Sequence, residues 1–463
     1  MKRFWLVLLS LGLVMAFSAS AFAVDVKVSG SYSAAGVYLN QLNLQENAAA
    51  NSDQSTAFYF QRLRVGTEVV VSPGLSLITR FDAMERVFGA TRSTPAGGTG
   101  ATQPGSAGTW AENENIAFDY VYVKYAAPIG TFQVGAQPGG TFGPVFANSE
   151  EPRYRIKYIS PDYSGFLWTA TIEKNTENSY YDSHNGINSA STTTDRDQDT
   201  YYLTGEYKAK NWAAGLLYGY TVDNRYRPVG QGELQGTYHT FNPYATVAFG
   251  PVKIQAELKW ALGKYDAEVA GNNDTDVEGF GGWIDATATF GPVYVGGSFA
   301  YAQGDVDDND DKLYGVVNGG RDWSPTLIMW NEDRAMWAGG IRSSAVPLVN
   351  GYGANGVFSS DSGFGETFQN AWLGQIRVGI KPVEKLDVCF AASYARRDRV
   401  LDDSYDKELG WEFDLTGTYK ITNNLSYMLG AGYLITGDYF KGANQASEVE
   451  NNYMIINKLA LTF

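Results

Sequence analysis

The stretch "VKIQAELKWAL", Val252–Leu262, decides how the chain is read. Val252, Ile254, Ala256, Leu258, Trp260 and Leu262 fall on one face of an extended strand, and Lys253, Gln255, Glu257 and Lys259 fall on the other. A period of two with an apolar and a charged face predicts a strand lying between two unlike environments. Just before it stands "AFGPV", and forty-one residues later "TFGPV" at Thr289. Pro fixes its own φ and removes a backbone donor, while Gly tolerates positive φ, so a ladder cannot run straight through either copy. Each copy therefore predicts a reversal, and the interval holds one hairpin. A third copy, "TFGPV" at Thr141, needs its own account.

The same alternation recurs outward from this point. Leu409, Trp411, Phe413, Leu415 and Tyr419 oppose Glu412, Asp414 and Thr418. Polar stretches rich in Gly, Ser, Asn and Asp separate such segments, and no amphipathic helix is evident. Short reversals are expected at "SPG" (Ser72), "AAPIG" (Ala126), "SPDYSG" (Ser160), "AKN" (Ala209), the two FGPV pairs at Gly250 and Gly291, "KPVEK" (Lys381) and "TNN" (Thr422). Eight short turns with both termini on one side predict an all-β transmembrane antiparallel barrel of about eighteen strands, with short periplasmic turns and long outer loops. The wide interval from Gly291 to Lys381 holds either one long outer loop, residues 304–368, or a further strand pair; sixteen or twenty strands are the alternatives. Phe249, Phe290, Trp212 and Tyr163, beside the turns, sit where interfacial aromatic girdles belong.

Both ends suit this reading. Lys2 and Arg3, an apolar run from Phe4 to Phe17 and Ala21-Phe22-Ala23 predict a cleaved signal peptide over residues 1–23, with 24–463 forming one barrel domain. The run is too short for a spanning helix, which needs about 20 residues. In "NNYMIINKLALTF", Tyr453, Ile455, Leu459, Leu461 and Phe463 share a face that Asn457 alone interrupts. A last strand of this kind ending in Phe resembles bacterial outer-membrane barrels, in which that resemblance implies an assembly signal read by the barrel assembly machinery.

Composition narrows function. The formal charge of −15 includes Lys2 and Arg3, so the chain without its leader carries −17, which disfavours nucleic-acid partners and sets a field that favours cations unless a local arginine cluster inverts it. One cysteine, Cys389, permits no internal disulfide, and it is expected to face the lumen as a small filler; no haem or zinc spacing occurs, and no cofactor is expected. "DVDDNDD" (Asp305–Asp311) places five carboxylates within seven residues without the glycine an EF-hand requires, and is read, like "GNNDTDVEG" at Gly271, as a solvated loop. His184 and His239 are the only histidines, and both are read as surface residues rather than as a catalytic base, so the chain is not expected to be an enzyme.

Three segments, "FQRLRVGTEVVVSPGLSLITRFDA", "YVKYAAPIGTFQVG" and "RYRIKYISPDYSGF", carry a resemblance to the abundant outer-membrane porins of delta-proteobacterial metal and sulfate reducers, of the OmpJ-like general type. The resemblance implies a passive, homotrimeric channel in the outer-membrane lipid for ions and small hydrophilic solutes. A sugar-selective channel, with Phe58, Phe60, Tyr120 and Tyr122 as a stacking track, and an abundant interaction barrel supporting extracellular electron transfer are the alternatives. General porins narrow at an inward-folded third outer loop. Here that position is 138–152, "PGGTFGPVFANSEEP", which holds the first FGPV copy; the likeness to the porin loop is one of position, since no acid follows Pro138.

Pores select by width and by rings of fixed charge. Arg62 and Arg64 share a face with Phe60 and Glu68; Arg80 and Asp82 share the next; Arg153, Arg155 and Lys157 follow the third loop. Charge at mid-membrane belongs in the lumen, because the lipid face costs a few kcal/mol. The expected constriction sets Glu150 and Glu151 against Arg62, Arg64, Arg80 and Arg155 as a transverse field. The simpler alternative pairs the arginines with wall acids such as Glu68 and Asp82.

Overall fold

The computed structural model describes residues 25–45, 55–89, 116–178, 195–227, 234–268, 273–305, 311–343, 345–346 and 367–463. The expected leader, residues 1–23, together with His184, Asp307, Asp308 and Asp310, lies outside them. In chain order the strands are β1 Asp25–Leu39, β2 Thr56–Ser72, β3 Leu75–Val87, β4 Ala117–Ala127, β5 Gly130–Gly139, β6 Glu151–Ile159, β7 Phe166–Thr176, β8 Gln198–Lys208, β9 Trp212–Asp223 and β10 Leu234–Phe249. They continue as β11 Val252–Ala267, β12 Thr275–Phe290, β13 Val293–Ala302, β14 Lys312–Leu313, β15 Ala371–Val383, β16 Leu386–Arg397, β17 Glu408–Lys420, β18 Leu425–Thr436 and β19 Asn452–Thr462. Among the described residues one α-helix, α1, spans Glu332–Ala338.

Setting aside the two-residue β14, eighteen strands pair antiparallel with their neighbours, and β1 pairs with β19 to close the ring. Closure leaves no open sheet edge in lipid, where an unpaired backbone group would have no partner. All eight expected short turns are present, and β13 pairs directly with β15, so the wide interval contributes a connection and not a further wall hairpin. Gly250 and Gly291 adopt φ of 55° and 58°, the positive angle that a type II′ hairpin turn demands of its first central residue, with Pro following.

Side chains directed away from the interior are apolar: Val121 and Val123 on β4, Ile156 on β6, Leu258 and Trp260 on β11, and Ile376 on β15. The packed core lies inside the ring, around Phe146, Trp323, Ile328, Trp330 and Phe368 from two outer connections. Cys389 is half-buried, on the face opposite exposed Phe390.

Two strands depart from the simple alternation. Leu409 is fully buried and does not join Trp411 on the outer face. The ladder slips there, Ala395 facing Gly410 while Arg396 faces Glu408, and Gly410 takes φ of 120°; a bulge of this kind redirects the residue it adds. Pro243 lies within β10 and cannot donate to the ladder. The Asn242 side chain supplies the missing donor, bonding the Leu258 carbonyl at 2.6 Å.

Candidate pore constriction

Pro138 faces Pro152 and Gly139 faces Glu151 across β5 and β6, so the third outer connection itself is Gly140–Glu150, shorter at each end than 138–152. Gly143, in the first FGPV copy, holds φ of 83°, which turns the chain toward the far wall. There Glu257, on β11 and without solvent exposure, accepts the amides of Val145 at 2.5 Å and Phe146 at 2.9 Å on Oε1 and of Ala147 at 3.0 Å on Oε2. Phe142 meets Tyr244 of β10 edge-on at 5.2 Å, and Phe146 lies parallel to Trp283 and edge-on to Trp323. The connection therefore crosses the interior from β5–β6 to β10–β12.

The long connection Gln303–Asn370 docks by the same chemistry. Glu412 on β17 accepts the Ile328 and Met329 amides, and Leu327 and Ile328 lie over Gly430 and Gly432 of β18, where no side chain intervenes. Asn331 caps α1 through the Arg334 amide at 2.9 Å, and Trp337 stacks on Phe60 at 4.7 Å. Arg334 is fully buried and bonds the Gly339 carbonyl; burial pushes its guanidinium down to about 10, against the opposing charge of Glu412. Lys458 of β19 pairs with Asp333 at 2.5 Å.

The charged residues singled out from the sequence separate into two groups. On β2–β4, Arg64 holds Asp82 with two bonds of 2.7 Å and lies 3.5 Å from Asp119, which also meets Arg80 at 3.0 Å. Arg80 lies over the Tyr120 ring at 3.7 Å, and both Arg80 and the Tyr120 hydroxyl, at 2.8 Å, donate to Glu150. Burial would raise the Glu150 carboxyl, but these bonds and the charges of Arg80 and Arg64 hold it below its usual value. Its amide donates to Asp322 at 3.1 Å, joining both inward connections. Arg62 reaches Glu85 at 3.5 Å, opposite an irregularity in β3. Glu68 stands apart, paired with Lys27 at 3.1 Å and four residues nearer the short turns than Arg64.

The second group borders a cavity of about 390 Å³ between the third connection and strands β6–β11. Arg153 bonds Glu151, and Arg155 bonds Glu173 and the Pro138 carbonyl. Lys157 and Lys259 also line it and have no ion-pair partner among the described residues. Glu150 is thus in contact with its own side of the barrel through Arg80 instead of opposing it across a gap. Of the proposed aromatic track, Phe60 is covered by Trp337 and Tyr120 is engaged by the third connection.

Sequence reasoning had not placed Asp119, Glu173, Lys259 or Asp322 in the site, nor given Glu257 and Glu412 a role beyond their face. His239 lies on the outer surface, bonded to the Tyr218 hydroxyl at 2.8 Å. Asp305 turns inward and accepts the Tyr314 amide at 2.8 Å.

A closed, lipid-faced ring of strands with two loops docked in a polar lumen defines an outer-membrane channel. A Gram-negative porin family profile matches residues 10–319, and the chain belongs to that family. No curated protein matches it. Among solved structures it is similar to Acinetobacter baumannii OccAB1, at 15% identity and a TM-score of 0.50 over 94% of this chain and 97% of that one. Pseudomonas aeruginosa OccK5 (OpdH) matches at 10% identity and a TM-score of 0.48 over 94% and 98% of the two chains. At 15% identity the likeness to OccAB1 speaks to fold alone. The protein is an integral, multi-strand outer-membrane porin.

Proposed function

We propose that this porin is a passive general diffusion channel of the OmpJ-like type for ions and small hydrophilic solutes, and that its passage favours small anions. The observation that carries the reading is the cavity beside the third connection, where Lys157 and Lys259 are unpaired while Arg153 and Arg155 face Glu151 and Glu173. The cavity lining sets Arg153, Arg155, Lys157 and Lys259 against Glu173 and Glu206, and fixed charge in a narrow lumen acts on ions at short range, where the distant net negative charge is screened. The Arg64–Asp82 and Arg80–Glu150 network forms the firm side of the narrowing. The reading includes a cleaved leader, a homotrimer in outer-membrane lipid, and a last strand, with Tyr453, Ile455, Leu459, Leu461 and Phe463, recognised by the assembly machinery. It includes no cofactor, no catalytic step and no nucleic acid.

Reversal potentials of single channels in a salt gradient test it. The wild type should prefer anions, and Lys157→Ala with Lys259→Ala should lower that preference markedly. A cation-preferring wild type that the two substitutions leave unchanged would refute it. Two connections filling part of the lumen also favour a second reading, a solute-selective channel, for which a hydrophilic solute would block current saturably.

A further inference from the structure

On the outer surface, between β13 and β16, lies a cleft of about 520 Å³ that the channel does not use. Its floor is Gly374 of β15, which faces Phe299 of β13 on one side and Tyr394 of β16 on the other. A Cβ placed on Gly374 would meet nothing within 4 Å, so the opening exists because this residue has no side chain. Trp372 forms one wall, with Phe299 at 5.5 Å and Tyr301 at 4.5 Å between ring centroids.

The rings are fixed from above. Asp398 accepts the Trp372 indole N–H at 3.2 Å, the Tyr301 hydroxyl at 3.2 Å and the Gly304 amide at 2.9 Å, so its carboxylate is occupied by three donors. Arg396 and Lys407 line the cleft toward the outer end of the strands. Arg396 is exposed, two residues beyond Tyr394 and so about 7 Å above it. Lys407 donates to the Asp398 carbonyl at 2.6 Å. Neither forms an ion pair among the described residues; Glu408, cross-strand from Arg396, lies beyond that distance. Below the cleft β15 continues into the lipid-facing belt through Ile376 and Val378.

We propose that this cleft holds one phosphorylated, acyl-chain-bearing lipid of the outer leaflet, its chain against Phe299, Trp372 and Tyr394 and its phosphate on Arg396 and Lys407. An apolar slot on the lipid-facing side, topped by cations at the outer end of the strands, matches that amphiphile in both chemistry and order along the strands. Guanidinium and ammonium donors bind phosphate oxygens with charge-assisted bonds, and the fixed rings lose little freedom when a chain lies on them. A protein partner has no comparable reason to place a phosphate-sized anion above an acyl-sized slot.

Native mass spectrometry of the full protein in detergent tests this, with added diphosphorylated lipid A, its dephosphorylated form and a zwitterionic phospholipid as probes. One diphosphorylated lipid per chain should be retained, and the dephosphorylated form should bind far more weakly. Arg396→Ala with Lys407→Ala should weaken retention roughly 30-fold, from the known contribution of each basic residue at an anionic headgroup. Gly374→Leu, which leaves both cations in place, should abolish retention by filling the slot. Equal binding of the dephosphorylated lipid, or wild-type retention in both variants, would overturn the assignment. Loss of subunit association in Gly374→Leu, with lipid still bound, would give the cleft to a second copy of the chain and overturn it too.

Discussion

Replacing Glu257 should release the third connection from the far wall. Its carboxylate takes three backbone amides, at 2.5, 2.9 and 3.0 Å. Hydrogen bonds to a charged group contribute about 1.5–3 kcal/mol each, and removing one member of a buried charged arrangement costs about 3–5 kcal/mol. At the lower figure Glu257→Ala shifts the docked-to-undocked ratio by about a hundredfold, since every 1.4 kcal/mol is a factor of ten. Glu257→Gln is graded by the geometry. Val145 and Phe146 share Oε1, which an amide oxygen replaces, whereas Ala147 on Oε2 would meet an NH₂ group, donor against donor. Single-channel recordings should show conductance and open-channel noise rising from wild type through Gln to Ala, with strand content by circular dichroism unchanged. An alanine variant with wild-type conductance, noise and solute-size limit would refute the claim that this carboxylate holds the narrowing.

Two further outcomes follow from the same contacts. Glu150 is held below the usual carboxylate range by Arg80 and Tyr120, so its latch is fully present above the unperturbed carboxyl value and is lost as pH falls through the lower folded value. Conductance should therefore hold steady on acidification until below the ordinary carboxylate range, and Glu150→Gln should remove that step; a wild-type transition between pH 5 and 7 that the variant shares would contradict it. Asn242→Ala should orphan the Leu258 carbonyl beside Pro243 and destabilise the barrel by about 1–3 kcal/mol in a urea titration in lipid, a loss that Asn242→Ser would not fully restore.

The wall was legible in the sequence because hairpin chemistry is local. Once the turn at Ser72–Leu75 is recognised, counting back along both strands brings Arg64 to within one residue of Asp82, and the irregularity between Val70 and Ser72 completes the pairing; Arg155 meets Glu173 across the longer turn near Ser160, whose length did not fix the register. The interior was not legible in that way. Glu257 faces Tyr244 and Trp283 across its ladders, and Glu412 faces Ser393 and Leu434, so neither has a basic cross-strand neighbour. A membrane-depth acid without such a neighbour must be satisfied from outside the sheet, and loops with no periodicity supplied the donors. The bulge at Leu409–Gly410 likewise escaped a strict period of two, because one inserted residue moves Leu409 indoors while leaving the pattern beyond it intact.

The three FGPV copies illustrate the limit. Gly143, Gly250 and Gly291 all take positive φ, yet two close rim hairpins and one carries a loop across the lumen. Local chemistry specified that the chain turns; the length of chain beyond the turn specified where it went.

At Glu257 and Glu412 the wall grips each inward connection through its main-chain N–H groups. Such a grip is indifferent to which residues the loop carries, provided the backbone can present its amides. Substitutions at loop positions whose side chains do not pack on the wall, unlike Phe142, Phe146 and Glu150, can therefore retune width and charge while the docking point on the barrel stays fixed, so the calibre of the pore can drift over evolutionary time without loss of its scaffold.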